Sequence, residues 1–169
     1  MITDSRIAEL MSAEVDLFVR NHPRSQEEST RSQSSLLAGV PMPWMKRWAG
    51  PFPVIADRAV GGNIVDIDGN SYVDFCLGDT GSMTGHSPDA TVAAIREQAG
   101  KGITAMLPTA DAAIVSAELA ARFGLPLWQF TVSATDANRH VIRYSRMITG
   151  RSKIVVIDRC YHGSVDETF

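Results

Sequence analysis

Residues 130–163 carry the clearest signal of the fold and read FTVSATDANRHVIRYSRMITGRSKIVVIDRCYHG. The apolar run LWQFTV, residues 127–132, breaks into the small polar cluster SATDAN, residues 133–138. An amphipathic run follows, which predicts a helix that ends at Gly150. A second apolar run, KIVVID at residues 153–158, then leads into Tyr-His-Gly at residues 161–163. Apolar strands separated by a helix predict a parallel sheet covered on both faces. We therefore expect an α/β fold.

The polar cluster at residues 133–138 lies where the first predicted strand gives way to a helix. The free N–H groups and the dipole of a helix N-terminus suit an anion, and Ser133 and Thr135 add hydroxyl donors. Ser133 with Asp136 three residues later also resembles a capping box, which needs no ligand. The residues alone leave both interpretations open.

Tyr161 and His162 follow the second predicted strand. An aromatic residue there is ordinary core packing in many proteins, and a single histidine is often structural. If the two strands are neighbours, however, their carboxyl ends bring the polar cluster and the aromatic pair together, where α/β sheets bind ligands. Donors at one end and a stacking face at the other suit a flat aromatic ligand that carries a phosphate.

The upstream sequence predicts a mixed architecture. Residues 4–20 have helical apolar spacing, with Thr3 or Asp4 as a possible cap. The polar stretch that follows is either a mobile arm or a short surface helix, and the Pro- and Trp-rich stretch after it cannot be a regular helix. Alternating residues around Asp68-Gly69-Asn70 predict an antiparallel hairpin. Two further helices are expected, one capped by Ser87 with Pro88 at its first position, the other between Thr109 and Gly124.

Composition excludes several classes of function. The chain has 169 residues and a formal net charge of −3, without a basic run that would favour nucleic acid or an anionic membrane. Its two cysteines, Cys76 and Cys160, do not form a disulfide framework or a metal motif, so we expect a reduced, cytoplasmic setting and no metal. The N-terminus lacks the pattern of a signal peptide, and no apolar run is long enough to span a bilayer.

Taken together and in order, the motifs SATDAN, VIRYSR, TGRSKI and YHG resemble the class III aminotransferases, which are pyridoxal-phosphate (PLP) enzymes of fold type I. The hairpin sequence and GHSPDATVAAI fit the same family, so the resemblance covers residues 50–169. It is strongest to the branch of glutamate-1-semialdehyde aminomutase and β-amino-acid aminotransferases. The resemblance implies a helical arm with a Pro/Trp-rich loop at 1–49, a small-domain hairpin region at 50–86, and the first part of the PLP-binding large domain at 87–169.

The resemblance also implies roles for individual residues. Ser133, Ala134 and Thr135 would hold the PLP phosphate, with Asp136 at the position of a family glutamate and Ala134 at that of a glycine. Tyr161 would stack on the pyridine ring, and His162 would help to position it. For the substrate side, the resemblance points to Trp44 and Asp79, which are equally well explained as loop packing and as a turn residue.

The resemblance implies PLP-dependent transamination between an amino donor and a keto or aldehyde acceptor, carried out by a homodimer. An aminomutase or racemase shares every motif, and a non-catalytic phosphate-binding α/β module is the alternative from another class. The lysine that forms the Schiff base and the aspartate that pairs with the pyridine nitrogen are expected beyond Phe169. Lys46, Lys101 and Lys153 do not match that lysine. We therefore expect residues 1–169 to be the N-terminal portion of a longer enzyme, inactive by itself.

Overall fold

The computed structural model describes residues 3–168, which form two compact units; the first ends at Ile103 and the second begins at Thr104. The first unit contains three helices, α1 (Asp4–Asn21), α2 (Pro23–Ser32) and α3 (Asp89–Lys101), and three strands, β1 (Ala56–Val60), β2 (Asn63–Asp66) and β3 (Ser71–Val73). The second contains α4 (Ala110–Phe123) and α5 (Ala134–Thr149). Short 3-10 turns occur at Leu37–Gly39, Pro43–Arg47 and Asp166–Thr168.

The N-terminal helices follow the sequence pattern. Helix α1 begins where predicted, because the Thr3 hydroxyl accepts a hydrogen bond from the Arg6 N–H at 3.3 Å. The polar stretch after it forms α2, so the surface-helix alternative is the correct one. Pro23 occupies the first turn of α2, where its missing N–H is not needed. The Pro- and Trp-rich stretch forms no α-helix, as predicted.

The three strands form an antiparallel sheet in the order β1-β2-β3. The predicted hairpin is confirmed: Ile64 pairs with Tyr72 across the turn at Asp68-Gly69-Asn70, and Gly69 has the positive φ of 93° that this turn requires. A turn at Gly61-Gly62 joins β1 to β2.

Asp66 is buried, with only 1% of its surface exposed, and its carboxylate organises the hairpin. It accepts hydrogen bonds from the Tyr72 hydroxyl at 2.7 Å, from the Asn70 backbone and side-chain nitrogens at 2.8 and 3.0 Å, and from the Asp68 N–H at 2.9 Å. Burial by itself would raise the pKa of Asp66, but these donors outweigh burial and hold the pKa below its usual value. The buried group therefore remains a carboxylate.

The same network ties the helical arm to the hairpin. His22, at the junction of α1 and α2, lies with Nε2 2.6 Å from the Tyr72 hydroxyl and Nδ1 2.7 Å from the Phe18 carbonyl. The Asp68 carboxylate accepts hydrogen bonds from the Ser25 hydroxyl at 2.6 Å and from the Arg24 N–H at 2.7 Å. Burial and the negative charge of Asp66 raise the pKa of Tyr72 to about 12, so its hydroxyl keeps the proton that it donates.

Helix α3 begins differently from the prediction. Pro88 is its N-cap rather than its first residue, and no side chain caps the helix. The Ser87 hydroxyl donates instead to the Ala59 carbonyl at 2.9 Å. The prediction of a Ser87 cap is therefore wrong, because a backbone acceptor on β1 lies within reach of the hydroxyl, and local sequence gives no sign of it.

In the second unit, α4 and α5 end at Gly124 and Gly150, each a left-handed C-cap, as predicted. The predicted strands are not formed: neither 127–132 nor 153–158 pairs into a sheet within the described residues. The prediction that a parallel sheet begins here is therefore wrong for residues 3–168. A strand exists only through hydrogen bonds to neighbours, and Val132 and Val155, at 100% and 96% exposure, have apolar side chains that this unit does not cover.

No helix in the described part of the chain combines the length and the apolar character that a membrane span needs.

We expect Asp66→Ala to lower the free energy of unfolding by about 3 kcal/mol or more, because it leaves several buried donors without an acceptor. Asp57→Ala, at an exposed aspartate of β1, is the matched control and should change it by less than about 0.5 kcal/mol. Urea unfolding followed by circular dichroism measures both. Because the folded pKa of Asp66 is depressed, its contribution is present above the unfolded pKa of roughly 3.9 and is lost as the pH falls through the folded pKa. Equal losses in the two variants would show that the Asp66 carboxylate does not organise the hairpin.

Candidate functional site

The N-terminus of α5 is the centre of the predicted anion site. Ser133 is its N-cap in extended conformation, with φ −144° and ψ 161°. The Ser133 hydroxyl accepts from the Asp136 N–H at 3.2 Å and donates to the Asp136 carboxylate at 2.9 Å. The same carboxylate lies 3.5 Å from the Arg139 guanidinium. Ser133 is therefore the N-cap of α5, and the side chains of Ser133 and Asp136 both have partners.

Donors remain at this helix end after capping. The N–H groups of Ala134 and Thr135 belong to the first turn and have no acceptor within the helix. The Thr135 hydroxyl oxygen accepts from the Ser164 N–H at 3.2 Å, which leaves its own proton for donation. Ala134 lies in the right-handed helix, so its methyl group causes no backbone strain at the position where the resemblance implies glycine. The arrangement can hold an oxyanion through two backbone donors and one hydroxyl.

The Tyr161-His162-Gly163 loop contacts this helix end directly. The Asn138 side-chain amide donates to the His162 carbonyl at 2.8 Å. At Gly163, where φ is 85°, an added Cβ would lie 2.5 Å from the Thr135 Oγ1 atom. The structure therefore brings the two predicted clusters together. Contacts between the loop and one helix join them, whereas the sequence had suggested paired strands.

The aromatic side chain of this loop is accessible. Tyr161 is 77% exposed, so its ring is available to a ligand, whereas His162 is half-buried and contributes its carbonyl to the contact with Asn138. The chain segment that follows is anchored at Val165, which is buried with 2% exposure.

A second anchor lies near the C-terminal end of α5. Arg146 donates from Nη1 to the Glu167 carboxylate at 2.5 Å and from Nε to the Ser152 carbonyl at 3.0 Å. The hydrogen bond from Arg146 holds the pKa of Glu167 below its usual value. Sequence reasoning assigned no role to Asn138, Gly163 or Arg146 in joining the loop to the helix. The helical spacing of Asn138 and Arg146 with Thr135 was the available signal.

The two predicted substrate residues lie in the first unit. Trp44, in the Pro43–Arg47 turn, is about half exposed, and its ring centroid is 6.1 Å from that of Trp48. Asp79 is exposed with φ 57°, and its N–H donates to the Cys76 carbonyl at 3.0 Å. These are the packing and turn features that the sequence offered as alternatives, and the substrate roles stay predictions.

The turn near Asp79 is held by Asp74. Its carboxylate accepts from the Cys76 and Leu77 N–H groups at 2.9 and 3.0 Å and lies 2.6 Å from His86 Nε2. The hydrogen bond with His86 is the main cause that lowers the pKa of Asp74. No group of three or more histidine, cysteine or acidic residues suited to a metal occurs within residues 3–168.

Comparison with known proteins places these features in a family. Residues 44–169 match the family described as aminotransferase class-III. Glutamate-1-semialdehyde 2,1-aminomutase from Thermoplasma acidophilum is 36% identical over 144 residues, covering 84% of this chain and 34% of that protein. The enzyme of the same name from Methanocaldococcus jannaschii is 33% identical, covering 85% of this chain and 33% of that protein.

Solved structures agree with this result. A crystal structure of a glutamate-1-semialdehyde-aminomutase from Pseudomonas aeruginosa PAO1 is 48% identical with a TM-score of 0.90, covering 99% of this chain and 37% of that chain. A β-phenylalanine aminotransferase from Variovorax paradoxus is 27% identical with a TM-score of 0.85, covering 94% of this chain and 37% of that chain. This chain spans about a third of the length of these relatives.

The predicted transferase fold of type I is confirmed by these likenesses, because the structure matches the N-terminal portions of such enzymes. The parallel strands that the same prediction included are not formed among residues 3–168. The family prediction is confirmed by the sequence match over residues 44–169 and by the identity to the curated relatives. The chain belongs to the class-III aminotransferase family.

Proposed function

We propose that this chain provides the phosphate-binding and ring-stacking part of a PLP-dependent enzyme that transfers an amino group. The observation that carries the proposal is the contact between the N-terminus of α5 and the Tyr161 loop, made by the Thr135 and Asn138 side chains. It brings oxyanion donors and an exposed aromatic ring into one small region. The family's structural relatives support the choice of ligand, since they include a transaminase with PLP bound and an aminomutase in complex with PMP.

The residues present fit this cofactor. The N–H groups of Ala134 and Thr135 and the Thr135 hydroxyl would donate to the phosphate, and the dipole of α5 favours its negative charge. The Asp136 carboxylate would repel a phosphate if it were unpaired, but Ser133 and Arg139 already bind it. Tyr161 would cover one face of the ring. When bound, PLP supplies the aldehyde that takes up an amino group and a ring that withdraws electrons from the neighbouring carbon.

Two reactions of this class are open to the complete enzyme, and both would use the cofactor to move an amino group. Transamination releases a keto product and takes a different acceptor, whereas an aminomutase returns the amino group to another carbon of the same molecule. The aminomutase is favoured by the 48% identity to the Pseudomonas aeruginosa enzyme, against 27% to the β-phenylalanine aminotransferase. Accumulation of a keto acid from an amino donor would instead indicate transamination.

On the substrate side, we propose roles for Asp79 and Trp44. Asp79 would favour a cationic group and disfavour a carboxylate near it, and Trp44 would offer an apolar wall. A cytoplasmic location is likewise proposed from the cysteine usage, since Cys76 and Cys160 are both free and exposed thiols.

The first prediction separates phosphate binding from helix capping. Thr135→Val keeps the shape of the side chain but removes the hydroxyl donor, so PLP affinity should fall by roughly ten- to a hundredfold, as expected for a hydrogen bond to a charged group. Ser133→Ala removes the N-cap and should lower the free energy of unfolding without PLP by about 0.5–2 kcal/mol. For both variants of the complete protein, titration with PLP measures the affinity and urea unfolding without PLP measures the stability. If Thr135→Val binds PLP as tightly as the wild type, the hydroxyl is not part of the site.

The second prediction concerns covalent attachment. Lys101 is paired with Glu97 at 2.5 Å, and neither Lys46 nor Lys153 lies in the segments that form the phosphate site. Borohydride reduction of the 169-residue chain with PLP, followed by peptide mapping, should therefore give no stoichiometric pyridoxyl adduct on these lysines. The chain should also be unable to turn over amino donors by itself. A stoichiometric adduct on any of the three would overturn the proposal that the covalent lysine lies elsewhere.

We also propose that the complete protein is a homodimer in which residues 102–109, GITAMLPT, and the Trp-bearing loop are buried. The apolar side chains of that segment are largely uncovered, with Ile103, Met106 and Leu107 at 81%, 101% and 78% exposure. Such a set of exposed apolar side chains is typical of an interaction surface.

Light scattering of the complete protein at micromolar concentration with PLP should give the mass of a dimer. Met106→Lys places a charge in the proposed interface and should shift the protein towards monomer. Met147→Lys, at an exposed methionine of α5, is the control and should remain dimeric. A monomeric wild type would contradict the assembly.

A further inference from the structure

We propose that Asn138 is a positioning residue, which sets the orientation of Tyr161 over the phosphate site by holding the His162 carbonyl. Arg146 supports it by anchoring the far end of the same segment. This inference rests on the proposed function, because it assigns a purpose to the place where Tyr161 is held. It concerns a residue that neither binds the cofactor nor moves a proton.

One face of α5 makes the contacts. Thr135, Asn138, Ile142 and Arg146 follow each other at spacings of three, four and four residues, which places them in one row along the helix. All four are partly covered, whereas Arg139, Arg143 and Met147 on other faces are exposed. Three of the four bond to residues 162–167. The row is therefore the surface against which this segment lies.

The Tyr161 side chain needs such support because packing does not hold it. Its ring is 77% exposed, and the strand predicted to lead into it has no paired neighbour among residues 3–168. The backbone before it includes Arg159 with a positive φ of 61°, which is unusual for a residue with a side chain. The hydrogen bond nearest before it, from the Cys160 N–H to the Ile157 carbonyl at 3.2 Å, stays within the same turn, so the bonds that tie this region to α5 come from the backbone that follows Tyr161.

Within the described residues, the bond from Asn138 is the hydrogen bond nearest in sequence to Tyr161 on that side. It fixes the carbonyl of the very next residue, His162, at 2.8 Å. The next contact, from the Ser164 N–H to Thr135, is two residues further along, and the space at Gly163 is too small for a Cβ. A side-chain amide is suited to this task, because it donates to a carbonyl without adding charge near a bound anion.

Arg146 holds the parts of the segment that are further from Tyr161. Its guanidinium bonds both to Glu167, at the end of the segment, and to the Ser152 carbonyl, just after α5. It thus keeps both ends of the 152–167 stretch on the same helix. Exposed ion pairs contribute little individually, so the local effect should be larger for Asn138.

The first test uses the complete protein without PLP. Asn138→Leu keeps a similar volume but removes the donor, and we expect amide hydrogen exchange of residues 159–165 to become about tenfold faster. Arg143→Leu, on an exposed face of the same helix, is the matched control and should leave exchange in this segment unchanged. Arg146→Met should raise exchange mainly at residues 165–168. Unchanged exchange in Asn138→Leu would overturn the inference whether or not PLP binds.

The second measurement asks whether Asn138 acts through Tyr161. PLP dissociation constants are measured for the wild type, Asn138→Leu, Tyr161→Ala and the double variant in the complete protein. We expect Asn138→Leu to weaken binding about three- to tenfold when Tyr161 is present, and less than about twofold in the Tyr161→Ala background. The circular-dichroism band of bound PLP should change in Asn138→Leu as it does in Tyr161→Ala. Equal losses in both backgrounds would show that Asn138 does not act through the aromatic ring and would overturn the inference.

The two readouts separate this inference from the proposed function. If the wild-type protein does not bind PLP, the proposed function fails, and the positioning role of Asn138 towards that cofactor fails with it. If PLP binds and Thr135→Val weakens it while Asn138→Leu has no effect on exchange or affinity, the proposed function stands and only the inference is wrong.

Discussion

The close approach of Gly163 to Thr135 is the constraint on which the candidate site depends. The two chain segments are so near that a Cβ at residue 163 would lie 2.5 Å from a hydroxyl oxygen, so glycine is required there by space as well as by its positive φ. Because the backbone passes at this distance, the Ser164 N–H can bond to Thr135 and the His162 carbonyl to Asn138. An aromatic loop and a helix N-terminus thereby become one surface. A larger separation would leave two unrelated features, a capped helix and an exposed tyrosine.

The capping interpretation and the ligand interpretation prove compatible in this structure. The Ser133 hydroxyl caps α5 by accepting from the Asp136 N–H and donates to the Asp136 carboxylate, and this fixes where α5 begins. The cap uses one of the first-turn N–H groups and leaves those of Ala134 and Thr135 directed to no partner within the helix. The helix end is therefore stable without a ligand and still able to bind one. The sequence posed capping and ligand binding as alternatives, and the two are compatible in this turn because they use different N–H groups.

The first unit is organised by a buried charge instead of an apolar cluster. Among its described residues, Asp66 is nearly inaccessible, and donors from both sides of the hairpin turn keep it ionised. Its partner Tyr72 reaches His22 at the junction of the two N-terminal helices, so the network joins elements about fifty residues apart. A buried carboxylate specifies geometry more narrowly than apolar packing does, because each donor must approach within hydrogen-bonding distance.

Four of the five helices, the hairpin and the family could be predicted from the sequence alone, whereas α2 was only one of two alternatives. Helical spacing, Thr3, Gly124 and Gly150 marked the helix ends, and Asp68-Gly69-Asn70 marked the hairpin turn, because caps and turns are governed by neighbouring residues. The order of motifs in residues 130–163 was sufficient to identify the class-III aminotransferases.

Which distant residues contact each other could be learned only from the tertiary structure. The apolar runs at 127–132 and 153–158 predicted strands, but pairing needs neighbouring strands, and no local pattern states whether these are present. Ser87 has the chemistry of a helix cap and bonds instead to a carbonyl twenty-eight residues earlier. The role of Asn138 was hidden for the same reason: its amide matters through a carbonyl twenty-four residues away. Local preferences depend on the next few residues and can be read from sequence, whereas these contacts depend on how distant segments pack.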